Sequence, residues 1–220
     1  MLRNKIFVGI ILFHFLLIFL FIPGLLFNID SSKDCENGSG YTLFDFEHRT
    51  LPITYSFNSS VPQMIKDQTV IALEIWDNLI SINLFERNNT DFTLFFEHRK
   101  ISPEDRLFYD LDNPIGYADI YRNRSNNGDF DYFYNATIVF NLDYQFEDLE
   151  FSCNIWDSIL SNKTVDILSI ALHEIGHVLG LDHTLMYSLT MSPSYQGTFQ
   201  KTLAQGDING FNELFGGYEI

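Results

Sequence analysis

Positive charge is scarce in this chain of 220 residues: 13 Lys and Arg stand against 29 Asp and Glu, a formal net charge of −16 at pH 7. A surface that neutralises phosphates needs the opposite balance, so nucleic acid is not expected as a partner. Six prolines, 13 glycines and the lack of an internal repeat exclude collagenous, low-complexity and repeat architectures. Two cysteines allow a single intrachain disulfide at most. What is abundant is apolar and aromatic: 46% of residues are hydrophobic, with 22 Phe and 11 Tyr. That supports one compact domain plus appendages and is too much for a disordered acidic chain.

Arg3 and Lys5 precede an uncharged stretch, Ile6 to Phe27, rich in Leu, Ile and Phe. This pattern addresses the chain to a membrane, as a cleaved signal peptide or as an uncleaved anchor with everything after Phe27 translocated. Gly24 or Ser31 supplies a small residue before a cut, and Pro23-Gly24 would interrupt a spanning helix. N-x-S/T sequons at Asn37, Asn58, Asn88, Asn123, Asn135 and Asn162 exceed the roughly two that chance would place here and point to a glycosylating lumen. The expected product is a secreted or extracellular glycoprotein, held at the membrane if the leader stays. Its organisation reads as leader (1–29), polar linker (30–40) and folded domain (41–220).

Within that domain, Leu51–Phe57, Phe92–Glu97, Gly116–Tyr121 and Ala136–Asn141 have strand composition. Leu73, Trp76 and Ile80, flanked by Ala72 and Leu79, make one face of a helix from about Pro62 to Ile82, with Trp76 read as a core anchor. Lys163–Leu179 and Leu203–Phe215 carry further helical patterns. The alternation predicts an α+β fold, a mixed twisted sheet packed by about three helices.

The segment from Lys163 contains His173-Glu174-Ile175-Gly176-His177, continued by Val178-Leu179-Gly180-Leu181-Asp182-His183. Four residues of α-helix return nearly to the same face, so His173 and His177 can reach one metal ion. Gly180 can take the left-handed conformation that ends a helix and lets His183 approach the same ion. Three imidazoles with no thiolate or fixed carboxylate favour zinc, with an open fourth position. Glu174 is placed to take a proton from the attacking water.

This extended histidine motif resembles the metzincin metallopeptidases, and among them the matrixins, the matrix metalloproteinase family. Leu189-Thr190-Met191-Ser192-Pro193-Ser194-Tyr195 looks like that family's Met-turn and the wall segment after it, and Leu203-Ala204-Gln205-Gly206-Asp207-Ile208-Asn209-Gly210 resembles its last helix. The resemblance implies a zincin-like domain with an active-site cleft and a zinc endopeptidase acting on protein or peptide substrates. It implies that Met191 lies beneath the zinc, that Asp207 braces the Met-turn, and that Pro193 and Tyr195 line the pocket for the side chain after the scissile bond.

The chain also departs from the family. Gly206 replaces an acid that matrixins use to hold a processed N-terminal ammonium, and the propeptide switch motif is missing before Tyr41. GYADIY and ATIVFNLD lack the histidines of a structural site, so no second zinc is expected. Asp129, Asp131 and Asp143 fall into no recognisable calcium-ligand pattern, which leaves calcium open. Cys35 and Cys153 have two readings: a disulfide pinning the linker to the loop before the active-site helix, or Cys35 as a zinc-blocking thiolate. Two competing functions are a non-catalytic or latent binding module on the same fold, which has no need of Glu174, and a membrane-anchored structural protein, which needs no zinc. Nothing in the sequence sets the oligomeric state.

Overall fold

A computed structural model of the chain describes residues 40–48, 50–104, 114–124, 131–151, 164–184, 189–195 and 197–217. The leader, the linker up to residue 39, Cys35, Cys153, Asn37, Asn162 and Asp129 lie outside the described residues.

Period-2 alternation builds the sheet. β3 (Ile53–Phe57) buries Ile53 and Tyr55, β5 (Leu94–Arg99) buries Leu94 and Phe96, and β7 (Asp131–Asn141) buries Ala136, Ile138 and Phe140, so one face meets the core. The hydrogen-bonded order is β2 (Phe46–Glu47), β7, β5, β3, β4 (Phe85–Arg87), with β6 (Gly116–Arg124) on the other side of β7. Every pair is parallel except β6 with β7. Among the described residues β6 has no second strand neighbour, which makes it an edge strand.

Parallel neighbours need a crossover, and α1 (Gln63–Asp77) provides the one between β3 and β4. Its buried stripe of Ile65, Thr69, Ala72, Leu73 and Trp76 follows the helical period. The helix stops at Asp77, short of the expected Ile82. There the ladder tightens into bonds from Leu79 to Trp76 and from Ile80 to Asp77, while the Asp77 carboxylate takes the Leu84 N–H at 2.6 Å. Leu79, Ile80 and Ile82 still pack on the core, which is why they continued the apolar pattern.

α2 (Ile167–Leu179) is buried on nearly every face. The stretch just before it, expected as helix from Lys163, is instead β9 (Thr164–Asp166), paired in parallel with β8 (Gln145–Glu147). Asp166 is extended and its carboxylate accepts the Ser169 N–H at 2.8 Å, so it caps α2 and fixes where the helix begins. α3 (Gln205–Phe215) closes the core. Trp76 joins the three helices: its indole N–H donates to Leu172 O at 3.1 Å and its ring lies 5.8 Å from Phe211. The N-terminal β1 (Thr42–Leu43) pairs antiparallel with β10 (Leu181–Asp182), directly after α2. The architecture is the expected α+β arrangement, and no helix among the described residues is long and apolar enough to cross a membrane.

Candidate active site

The site is assembled at the end of α2. Gly180 has φ 114° and ψ 5°, and its N–H bonds back to Gly176 O and His177 O, so the helix ends left-handed and the chain reverses. That reversal carries His183 back to the two helical histidines. The Nε2 atoms of His173, His177 and His183 form a triangle with sides of 3.1, 3.1 and 3.2 Å. Tetrahedral zinc with Zn–N of about 2.0–2.1 Å spans about 3.3–3.4 Å between nitrogens, so the triangle fits that ion with small adjustment.

Ring protonation points the same way. His173 Nδ1 lies 2.7 Å from Thr190 O and His177 Nδ1 lies 2.8 Å from Leu181 O. A carbonyl oxygen only accepts, so Nδ1 carries the proton and each Nε2 presents a bare lone pair. Burial keeps the imidazoles neutral, holding His173 down to about 4, His177 well below the ordinary value and His183 also lowered. The bare lone pairs of His173 and His177, 3.1 Å apart, repel one another unless a cation lies between them. Among the described residues these three make up the His/Cys/Asp/Glu group able to share a metal ion.

Glu174 is 5% exposed and faces β6, where the backbone of Ala118 hydrogen-bonds its carboxylate. Burial pushes this carboxyl up to about 8, with the Ala118 bond pulling the other way. A cleft of about 640 Å³ opens here, lined by β6 residues such as Gly116 and Ala118, by Glu174 and the three histidines, and by Pro193 and Tyr195 opposite.

Met191 is 2% exposed and packs against Gly176 of α2, where a Cβ would overlap its sulfur. The Asp207 carboxylate accepts the N–H groups of Thr190 at 3.0 Å and Met191 at 3.2 Å. Thr190 in turn offers its carbonyl to His173, so Asp207 reaches the triad through one backbone unit. Tyr195 sits between cleft and scaffold: its hydroxyl accepts the Asp166 N–H at 2.9 Å, and burial pushes the phenol up to about 12.

The other singled-out residues are not brought to the cleft. Asn58 and Asn88 lie at strand ends, where their side-chain oxygens accept turn N–H groups, Asn123 is exposed on β6, and Asn135 is half-buried on β7. Asp143 pairs with Lys100 at 3.7 Å. Phe44, Tyr117, Tyr144, Ser169 and Gln200 also line the cleft and were not anticipated. They come from five separate stretches of chain. Only Asp166, a capping residue three positions before Ser169, left a local trace in the sequence.

A family model described as Matrixin matches residues 46–216. Stromelysin-3 of Mus musculus is 23% identical over 180 residues, covering 82% of this chain and 32% of the relative. The hatching enzyme of Paracentrotus lividus is 27% identical over 173 residues, 76% of this chain and 26% of the relative. Metalloendoproteinase 5-MMP of Arabidopsis thaliana is 46% identical over 54 residues, 24% of this chain and 15% of the relative. The chain thus spans a third or less of the length of these curated relatives.

Proposed function

The chain belongs to the matrixin family, and on that premise we propose that it is a zinc endopeptidase, secreted or membrane-anchored, that hydrolyses peptide bonds of extracellular proteins. The observation that carries this reading is the triangle of converging Nε2 atoms with the Glu174 carboxylate beside it in an open cleft. His173, His177 and His183 are the ligands. When bound, zinc would polarise the scissile carbonyl and acidify the attacking water.

The rest is supplied by the chain. An extended substrate lies along the outer edge of β6, adding backbone hydrogen bonds as a further strand would. Glu174, oriented by Ala118 and kept ionised when the charge of bound zinc offsets its burial, takes the proton of the attacking water and passes it to the leaving amine. Pro193 and Tyr195 receive the side chain after the scissile bond, while Met191 and Asp207 support the ligand set from below. The hydrophobic leader and the sequons support the extracellular assignment, with glycans carried at Asn58, Asn88, Asn123 and Asn135 outside the cleft.

The test uses the full chain, a quenched peptide library, a zinc chelator and Glu174→Gln. Chelator-sensitive cleavage is expected, with the variant keeping stoichiometric zinc while turnover drops by roughly 10²–10⁴. Near-wild-type turnover in Glu174→Gln would sink the assigned base. Stoichiometric zinc without cleavage in the wild type would instead favour a latent enzyme or binding module.

A further inference from the structure

At the N-terminal end of α2, two turns before His173, one buried carboxylate joins four segments of chain. Asp166 is fully buried. One of its oxygens accepts the Ser169 N–H and hydroxyl, both at 2.8 Å. The other accepts the Leu149 N–H at 3.1 Å and faces Lys201 Nζ at 3.1 Å. The Asp166 N–H donates to the Tyr195 hydroxyl. Lys201 also donates to Asp148 at 2.7 Å and to Leu149 O, so its three ammonium protons have three acceptors. Its side chain is only 13% exposed.

Lys201 does not line the cleft, but its neighbours do. It ends the 3-10 turn Thr198–Lys201, which places Gln200 in the cleft wall. Ser169 and Tyr195, both bonded to Asp166, line the same cleft, and the Ser169 hydroxyl also approaches Gly197 O at 3.4 Å. The ion pair therefore ties the wall stretches 192–195 and 197–201 onto the first turn of the helix that carries the histidines.

We propose that Lys201 is a positioning residue that limits how large a side chain the cleft accepts after the scissile bond, by clamping the wall segment to Asp166. This rests on the peptidase reading of the site. The clamp lies behind the pocket, so selectivity is set by a residue that never touches substrate. Removing the ammonium leaves a buried carboxylate without its counter-charge, and the wall keeps only the Tyr195 and Gly197 hydrogen bonds as its ties to the start of α2.

The experiment uses the zinc-loaded full chain and two quenched peptides differing only after the scissile bond, with leucine in one and 4-phenyl-phenylalanine in the other. In Lys201→Met the ratio of kcat/KM for the large over the small side chain is expected to rise about tenfold, and in Lys201→Arg it is expected to stay within about twofold of wild type because the charge is retained. A parallel loss on both peptides, or an unchanged ratio, overturns the proposal. Amide hydrogen exchange over 192–201 gives a readout that needs no turnover: faster exchange in Lys201→Met is expected, and unchanged exchange overturns the clamp. If the wild type cleaves neither peptide, the peptidase reading fails by itself and exchange still decides the role of Lys201. Should Lys201→Met alone unfold, Lys201→Met with Asp166→Asn removes the orphaned charge, keeps a capping side chain and carries the same comparison.

Discussion

At Gly176, between the two helical histidines, the helix has no room for a methyl group. A Cβ there would overlap Met191 Sδ and come within 3.2 Å of Met191 Cε and 3.3 Å of the Trp76 ring. Two effects oppose each other in Gly176→Ala: alanine favours the helix by about 1 kcal/mol, and overpacking a filled core costs about 1–3 kcal/mol. Overpacking should win, since the obstructing atoms belong to a methionine held by Asp207 and an indole anchored on Leu172. The expected outcome is a lower melting temperature and weaker zinc binding, seen by calorimetry and competitive zinc titration. A variant as stable as wild type with unchanged zinc affinity would show that Met191 does not support the histidines. The histidine cluster able to share a metal ion was legible because His173, His177 and His183 lie within one helix and one turn. Lys201 was not, because its partners Asp148 and Asp166 lie 53 and 35 residues away and become neighbours only through the fold.

Elements were readable where one periodicity ran long enough. β5, β7, α1 and α3 announced themselves by alternating or helical burial, whereas β1, β2, β4, β8, β9 and β10 are two or three residues each, too short to show a period. One of these short pieces matters to α2. Just after β2, His48 is buried against Phe133 and Phe215, with ring centroids at 4.7 and 5.8 Å, and its Nε2 lies 2.9 Å from Val178 O, donating to a carbonyl in the last turn of α2. Burial lowers this imidazole from 6.5 to about 4, although the bond to Val178 pulls it upward. The unfolded chain therefore binds the proton first as the medium is acidified. The contribution of His48 is complete above pH 6.5 and is lost as pH falls from 6.5 to 4, a change of about 3 kcal/mol. His48→Phe keeps the aromatic packing, should lose about 1 kcal/mol near pH 7.5 with the hydrogen bond, and should flatten this part of the acid limb in zinc-loaded protein. An acid limb identical to wild type in denaturant titrations from pH 7.5 to 4 would refute the assignment.

The whole molecule closes on its active helix from the N-terminal side. Phe44 donates its N–H to Gly180 O at 2.8 Å and sets its ring 5.6 Å from His177, β1 pairs with β10 beside His183, β2 extends the sheet along β7, and His48 holds Val178 O. The Tyr41 side chain also packs near Gly210 of α3. These contacts run from residue 41 to residue 48 and converge on the turn that delivers the third histidine, so this stretch acts as a clasp on the ligand geometry while contributing no ligand. A chain beginning at Gly40 should fold and bind zinc, whereas one beginning at Thr50 should lose both stability and zinc affinity, because the reversal after Gly180 then has neither its strand partner nor its carbonyl's donor. The comparison that matters is between zinc affinity and helix content. If the shorter chain kept its far-ultraviolet circular dichroism and bound zinc as tightly as the longer one, α2 and Gly180 alone would suffice to set the triangle. If it kept its helices but bound zinc at least about tenfold more weakly, which is a difference of about 1.4 kcal/mol, then the clasp would be what turns a helix with two histidines into a site with three.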